Sequence, residues 1–167
     1  MKNTKVIAAF PACGKTYYFE NRTENNIVLD SDSSEFSWVY TNKDENGNEI
    51  RGVRKVRNPD FPNNYIEHIQ RNIGKVDYIF VSTHDVVRKA LNKAGIDFIL
   101  VYPKPSLKEE WIGRCFLRGS GEFFCQLIAD KWDDWMYEME KECIVNGHDS
   151  FRLRHGEYLS DAMKYIG

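Results

Sequence analysis

A short segment near the start of the chain has the residue types and spacing of a phosphate-binding loop. It reads AFPACGKT, from Ala9 to Thr16, and fits the relaxed pattern of a small residue, four free positions and Gly-Lys-Ser/Thr. In such a loop, backbone N–H groups at the start of a helix bind phosphate, the lysine reaches the β- and γ-phosphates of ATP, and the hydroxyl coordinates Mg²⁺. Because Pro11 has no N–H, the cradle must lie downstream of it. The predicted nucleotide-binding residues are Ala12, Cys13, Gly14, Lys15 and Thr16, with Lys15 also catalytic and Thr16 also a metal ligand.

The alternative is a helix N-terminus that contains Gly-Lys-Thr by chance. The flanking sequence favours the loop, because a predicted strand precedes it and a predicted helix, 14–20, follows it, as the mechanism requires. Ala9 stands where glycine is usual, and its small side chain suits the position if its φ is negative. Cys13 would be sensitive to oxidation if the site lowered its pKa.

Two carboxylates, Asp30 and Asp32, follow the second predicted strand. Ligands of open α/β sheets bind at the carboxyl ends of the strands. In an extended segment the side chains at i and i+2 point to the same side, so both carboxylates can face one crevice. We predict that one accepts a proton from a substrate hydroxyl while Asp32 helps to hold Mg²⁺. The alternative is that both are loop residues or a helix N-cap.

Two arginines, Arg114 and Arg118, are four residues apart and therefore lie on one face of a predicted helix. Guanidinium groups over a nucleotide would stabilise the charge of a phosphoryl group in transfer, so we predict that both are catalytic. The alternative is a solvated helix face, paired with Glu109 or Glu110.

A dense basic cluster lies in the polar segment 41–62 and comprises Arg51, Arg54, Lys55 and Arg57. It could bind the phosphate of an acceptor nucleotide or the backbone of a nucleic acid, or it could be a solvated hairpin. His84 is expected near a helix N-cap. Arg88, one turn further, faces either the site or the solvent. The substrate-binding candidates are Arg54, Arg57 and Arg88.

The elements that would position these residues alternate between strand and helix. Apolar runs at 5–10, 26–30, 77–82 and 97–102 are typical of strands buried on both faces of a parallel sheet. Helical patterns are predicted at 14–20, 63–73, 85–93, 107–117 and 121–143, and the segment 150–159 suits a last strand and turn. The pattern predicts an α/β fold with right-handed crossovers.

The chain has 167 residues, which suits one domain, 1–167, with 41–62 as a polar insertion on the substrate side and 106–119 as a lid. Asn46-Gly47 predicts a hairpin turn within the insertion. The net charge of −2 gives no global attraction to nucleic acid or to anionic membranes. Four widely spaced cysteines suggest neither zinc nor disulfides. With no signal peptide or membrane span in the sequence, we expect a cytoplasmic protein, in the host cytoplasm if a phage encodes it.

The order of these motifs resembles the small P-loop kinases, which include the nucleoside monophosphate, shikimate and gluconate kinases. VLDSDSS is similar to the Asp-x-Asp segment that lies between substrate and Mg²⁺ in shikimate kinases, which points to Asp30 and Asp32. EEWIGRCFLRG is similar to lid helices whose arginines close on ATP, which points to Arg114 and Arg118. The resemblance implies a three-layer P-loop sandwich, with a five-stranded parallel sheet of order 2-3-1-4-5, helices on both faces and a short lid helix.

The combination of DSDSSEFSW, NPDFPNNYIEHI, VSTHDVVR and FCQLIADKWDDW also resembles bacteriophage-type P-loop nucleotide kinases. Some proteins of that kind phosphorylate 5-hydroxymethyluracil bases in DNA. The resemblance therefore implies an ATP- and Mg²⁺-dependent phosphotransferase whose acceptor is a nucleotide, a nucleotide-like compound or a hydroxymethylated pyrimidine of DNA. The sequence lacks a DGxPR-type motif, which argues against AMP-type acceptor recognition. A non-catalytic nucleotide-binding module is the alternative of another class.

Overall fold

A computed structural model describes residues 1–23, 25–40, 44–48 and 54–167 of the chain, without the side chains of Tyr40, Arg54 and Lys55. It confirms the α/β class and a five-stranded parallel sheet flanked by helices. The strands are β1 (Lys5–Ala9), β2 (Val28–Asp30), β3 (Trp38–Tyr40), β4 (Arg54–Arg57), β5 (Tyr78–Val81), β6 (Ile99–Pro103) and β7 (Ser150–Leu153). The helices are α1 (Lys15–Glu20), α2 (Ser34–Ser37), α3 (Asn63–Asn72), α4 (Asp85–Lys93), α5 (Lys108–Leu117, after a 3-10 turn at Pro105–Leu107), α6 (Glu122–Asn146) and α7 (Leu159–Ile166).

The main sheet has the strand order β2-β5-β1-β6-β7, and every neighbouring pair is parallel. These numbers differ from the expected 2-3-1-4-5 because β3 and β4 form a separate antiparallel hairpin between β2 and β5. The register places Asp30 level with Phe80, and Ala8 level with both Val81 and Leu100. The carboxyl ends of β2, β5, β1 and β6 therefore meet along one edge.

The central strands read as continuous apolar runs because helices cover both of their faces. Ile7, Ile79 and Leu100 have no exposed surface. Helix α1 contacts α7, helix α3 contacts α4, and α6 contacts β6. With this strand order, the right-handed crossovers that are the rule for parallel strands put α1 on one face and α3, α4 and α6 on the other. In the described part of the chain, no helix is both long enough and apolar enough to cross a membrane.

The polar segment does contain the expected hairpin. Trp38 pairs with Arg57 and Val39 with Val56, and a turn at 44–48 is closed by the N–H of Asp44, which donates to the carbonyl oxygen of Asn48. The hairpin begins at Trp38, three residues before the predicted insertion. Residues 41–43 and 49–53 lie outside the described part.

Most predicted helices are confirmed within a few residues, and α4 has the predicted bounds. The helices α2 and α7 were not predicted. The signal for α7 is present in the sequence, since Leu159, Ala162, Met163 and Ile166 recur at helical spacing and all four are buried.

Candidate functional site

The loop between β1 and α1 is anchored to the core on several sides. The ring of Phe10 is 1% exposed and packs edge-on against Trp132 and Trp135, with centroids 5.9 and 6.1 Å away. Trp111 Nε1–H donates to the carbonyl oxygen of Pro11 (2.8 Å). The loop therefore has a fixed conformation before any ligand binds.

Two residues of the loop have a left-handed backbone. Gly14 has φ 93° and Ala12 has φ 60°. This conformation is ordinary for glycine, whereas for alanine it costs conformational free energy. Backbone strain of this kind tends to occur at functional sites. The turn brings the chain into α1 at Lys15, where the first N–H groups have no intrahelical acceptor. Lys15 Nζ lies at the mouth of the loop and donates to the carbonyl oxygen of Ala9 (2.8 Å).

Cys13 does not have the reactivity considered from the sequence. Its side chain has no exposed surface, and burial raises the pKa of the thiol despite the opposing effect of Lys15. A buried thiol with a raised pKa is a poor nucleophile, so the hypothesis of an oxidation-sensitive Cys13 is wrong. Cys13 contributes to the site through its backbone. Its carbonyl oxygen accepts a hydrogen bond from the N–H of Leu159 (2.7 Å), which ties α7 to the loop.

A cleft of about 500 Å³ opens over this loop. All five predicted nucleotide-binding residues and both lid arginines line it. The sequence analysis missed three further lining residues, which are Tyr17, Leu117 and Tyr158. A second groove of about 560 Å³ lies on the outer side of α5 and α6, has mostly apolar walls and includes no residue of the loop.

Arg114 is fixed in the wall of the cleft. Its side chain is 9% exposed, and its guanidinium lies 4.0 Å from the ring centroids of both Trp111 and Tyr158. Arg114 Nη2 donates to Glu110 Oε1 (2.5 Å) and to the carbonyl oxygen of Glu157 (2.8 Å). The pairing with Glu110 that belonged to the alternative interpretation is therefore present, but the solvated helix face of that alternative is wrong for Arg114. Its Nη1 is buried without a hydrogen-bond partner in the described part of the chain.

Glu110 connects the lid helix to the loop after β7. It accepts hydrogen bonds from the N–H of Gly156 (3.1 Å) and from Arg114, and its other oxygen contacts His155 Nδ1 (2.7 Å). Burial acts to raise the pKa of Glu110, but these hydrogen bonds outweigh burial and the pKa is lowered. Arg118, by contrast, is exposed at the end of α5, and its Nε donates to Ser120 Oγ (2.5 Å).

The two predicted carboxylates lie at the end of β2 but have different surroundings. Asp32 is exposed, and its Oδ1 accepts a hydrogen bond from the N–H of Ser34 (2.9 Å) just before α2, whose N-cap is Ser33, so Asp32 is a loop residue, which is one of the two alternatives. Asp30 is half-buried, and burial raises the pKa of its carboxyl, with Lys15 acting to lower it and Asp32 to raise it. A carboxyl with a raised pKa beside a loop lysine has the properties of a general base.

The residue between these carboxylates points into the protein. Ser31 is 5% exposed, and its Oγ is hydrogen-bonded to His68 Nε2 (2.9 Å). Its carbonyl oxygen accepts a hydrogen bond from the hydroxyl of Tyr65 (2.7 Å), which is fully buried. Neither Tyr65 nor His68 was a predicted site residue. Each contributes a single polar group to a helix face that is otherwise apolar, and such a pattern indicates core packing and not a site.

Little of the basic cluster can be placed. Arg51 lies outside the described residues, and so do the side chains of Arg54 and Lys55. Arg57 is exposed on β4, and its guanidinium stacks 3.9 Å from the ring centroid of Trp38. His84 directly precedes α4, as predicted. Partial burial lowers its pKa, with Lys15 adding to this effect and Asp32 opposing it.

The prediction that Arg88 binds substrate is wrong. Arg88 is 3% exposed, and its Nη1 donates to Glu142 Oε2 of α6 (2.9 Å). Its Nε donates to the carbonyl oxygen of Thr83 (3.0 Å). A buried arginine needs a carboxylate partner, and Arg88 has one, so it fastens α4 to α6 instead of facing the site.

The donor groups of the site fit Mg²⁺. Among the residues that the structure describes, no group of three or more His, Cys, Asp or Glu side chains could hold a metal ion. Mg²⁺ bound with a nucleotide needs fewer protein ligands, because phosphates and waters complete its octahedron. Thr16 lines the cleft, and Asp30 and Asp32 lie at and just after the end of β2, two strands away from β1 in the sheet. Hydroxyl and carboxylate oxygens are the ligands that this hard cation prefers.

Comparison with protein-family models, with curated proteins and with solved structures gives no match to this chain. The resemblance to small P-loop kinases therefore stays a prediction. The case for any function depends on the loop, the cleft and the two carboxylates.

Proposed function

We propose that this protein is an ATP- and Mg²⁺-dependent phosphotransferase of the P-loop kinase type, with a nucleotide or a nucleotide-like compound as its acceptor. The observation that carries the proposal is the cleft, whose walls combine the whole loop from Ala12 to Thr16 with Arg114 and Arg118. A glycine-containing turn into a helix and two guanidinium groups are the groups that a phosphate chain requires.

The sheet supports the same proposal. If β3 and β4 are left out of the count, the strands of the sheet follow the order 2-3-1-4-5, the order that the resemblance to small kinases implies. The loop then follows the central strand, and Asp30 ends a strand two places away. The four cysteines are all free, as is usual in cytoplasmic proteins. A cytoplasmic location would accord with ATP as the donor.

In the proposed reaction, the loop and Lys15 bind the phosphate chain of ATP. Asp30 accepts the proton of the acceptor hydroxyl as the hydroxyl oxygen bonds to the γ-phosphorus, and the bond from that phosphorus to the β,γ-bridging oxygen breaks to release ADP. Asp32 suits the base role less well, because one of its oxygens already accepts a hydrogen bond from Ser34. Arg118 is exposed and would close on the phosphoryl group by giving up its hydrogen bond to Ser120.

The metal in this proposal would be held by Thr16 and, through water, by Asp32. It would screen the charge of the phosphates during transfer. Residues of the chain would orient the acceptor and remove its proton.

The proposal is tested by incubating the protein with γ-labelled ATP and a panel of acceptors comprising nucleosides, nucleotides, plain DNA and hydroxymethylated DNA. We expect label to appear in one acceptor class. ATP binding without transfer to any acceptor would favour a non-catalytic nucleotide-binding module instead.

The second candidate acceptor, a hydroxymethylated pyrimidine of DNA, is favoured by the exposed Arg57 stacked on Trp38. If Arg57 contacts a DNA phosphate, Arg57→Ala should weaken DNA binding and reduce the slope of log affinity against log salt by about 0.7 to 0.9. A titration of labelled oligonucleotide at several salt concentrations measures this slope. A mononucleotide acceptor predicts no dependence of turnover on DNA.

A further inference from the structure

Helix α3 makes three side-chain hydrogen bonds to the short segment that carries the two carboxylates. Tyr65 donates to the carbonyl oxygen of Ser31 (2.7 Å), and His68 Nε2 is hydrogen-bonded to Ser31 Oγ (2.9 Å). Asn64 Nδ2 donates to the carbonyl oxygen of Phe36 (3.0 Å). These side chains lie along one side of α3, at positions i, i+1 and i+4, and together they hold the segment from Ser31 to Phe36.

Ring packing reinforces these hydrogen bonds. The ring of Phe36 lies 5.0 Å from that of Tyr65 and 4.7 Å from that of His68, between centroids. Burial lowers the pKa of His68, with Arg71 adding to this effect, so the imidazole is neutral at physiological pH and can share one hydrogen bond with a serine hydroxyl. The contact between α3 and the segment is therefore both polar and packed.

The position of Ser31 gives these contacts a consequence for Asp30 and Asp32. Neighbouring side chains in an extended segment point to opposite sides. The N–H of Ser31 donates to the carbonyl oxygen of Phe80 (3.0 Å), so Ser31 continues the pairing of β2 by one residue. Since α3 holds the Ser31 side chain inward, the side chain of Asp30 is directed to the other side, and Asp32 follows in the exposed turn. A rotation of Ser31 about the strand axis would move both carboxylates.

We propose that Tyr65 and His68 are positioning residues that hold Ser31 and thereby aim Asp30 and Asp32 into the reaction crevice. The catalytic part of this inference rests on the proposed phosphotransferase function. Tyr65 and His68 act through Ser31, so their loss should reduce the rate of transfer without weakening the binding of ATP at the loop. Misplacement of a reacting group by about 1 Å can cost on the order of a hundredfold in rate.

The test compares Tyr65→Phe with Tyr102→Phe. Each variant removes one tyrosine hydroxyl from a fully buried side chain, but the hydroxyl of Tyr102 accepts a hydrogen bond from Arg152 Nε (3.2 Å) on β7, the edge strand opposite β2. For each variant we would measure kcat, the Kd for ATP, and the backbone order parameters of residues 30–36 by NMR relaxation. The order parameters report how strongly the segment is held, as its mobility on the ps–ns timescale, without any need for turnover.

In Tyr65→Phe we expect a fall in kcat of about tenfold or more, an unchanged Kd for ATP, and order parameters that fall from about 0.85 towards 0.6. Tyr102→Phe should leave all three at their wild-type values. Unchanged order parameters, or equal kcat values in the two variants, would overturn the inference. A wild-type protein that transfers no phosphate would refute the proposed function, while the order parameters would still decide whether Tyr65 fixes the segment.

Discussion

At the scale of single residues, Asp30 has the surroundings of a working carboxylate. Burial raises its pKa, while Lys15 beside it acts in the opposite direction. Half-burial of an ionised carboxylate lowers the free energy of unfolding. Carboxyl groups with a pKa raised in this way are typical of catalytic sites. Asp32 is exposed, and one of its oxygens already accepts a hydrogen bond from the N–H of Ser34.

The replacement Asp30→Asn should abolish transfer and stabilise the fold at pH 7. A general base contributes about 10²–10⁴ in rate, so kcat should fall by that factor. Because the pKa of Asp30 is raised in the folded state, its contribution to stability is fully present below the unfolded value of about 3.9 and is lost as the pH rises through the folded value. The ionised group therefore destabilises the native protein at pH 7.

Thermal unfolding of wild type and Asp30→Asn at several pH values measures this effect. The variant should have the higher Tm at pH 7, and its advantage should shrink as the pH falls and vanish below about 3.9, where wild-type Asp30 becomes protonated in the unfolded state as well. A variant that is less stable than wild type by the same amount at every pH would contradict the description of Asp30.

At the scale of elements, helix α5, the predicted lid, is joined to the loop after β7 by Glu110 and Arg114. Glu110 accepts hydrogen bonds from Arg114 and from the N–H of Gly156, and Tyr158 covers the guanidinium of Arg114. Arg114 is thus held in place by two elements, whereas Arg118 is exposed at the helix end. Closure of a lid on the nucleotide would therefore move Arg118 more than Arg114.

The replacement Glu110→Gln should loosen this junction. Loss of a charge-assisted hydrogen bond to Arg114 should lower the free energy of unfolding by about 1–3 kcal/mol and weaken ATP binding. Glu67→Gln is a matched control, because Glu67 and Arg71 have the same i,i+4 spacing on α3 but are 63% and 75% exposed. The control should change the free energy of unfolding by at most about 1 kcal/mol.

Urea denaturation and calorimetric titration with ATP measure the two effects. Equal stabilities of Glu110→Gln and Glu67→Gln, with equal affinities for ATP, would contradict a fixed junction at Glu110.

The elements also show what a sequence can predict. Local sequence patterns were enough to predict β1, β5 and β6 from their apolar runs. The Gly-Lys-Thr signal likewise located the turn between β1 and α1. The pairing of Arg88 with Glu142 joins positions 54 residues apart, and nothing near Arg88 in the sequence indicates that partner. The hydrogen bond from Tyr65 to Ser31 likewise depends on the packing of α3 against the end of β2.

At the scale of the whole molecule, the sheet topology explains where the site lies. Right-handed crossovers put the helix that follows β1 on one face and the helices that follow its neighbours β5 and β6 on the other. The crevice at such a switch point, outside the carboxyl ends of the strands, is where open α/β sheets bind ligands. The loop, the cleft and Asp30 all lie along this edge, although they come from distant parts of the chain.

The most direct test of the central claim is the ATP consumption of Lys15→Ala compared with wild type, in the presence of the acceptor found in the panel. Lys15 is partly exposed, and its Nζ makes one recorded hydrogen bond, to Ala9, so the variant should keep the wild-type circular dichroism spectrum and a similar Tm. If Lys15 binds the phosphate chain, ATP consumption should fall to background in this folded variant. Undiminished consumption of ATP by Lys15→Ala would contradict it.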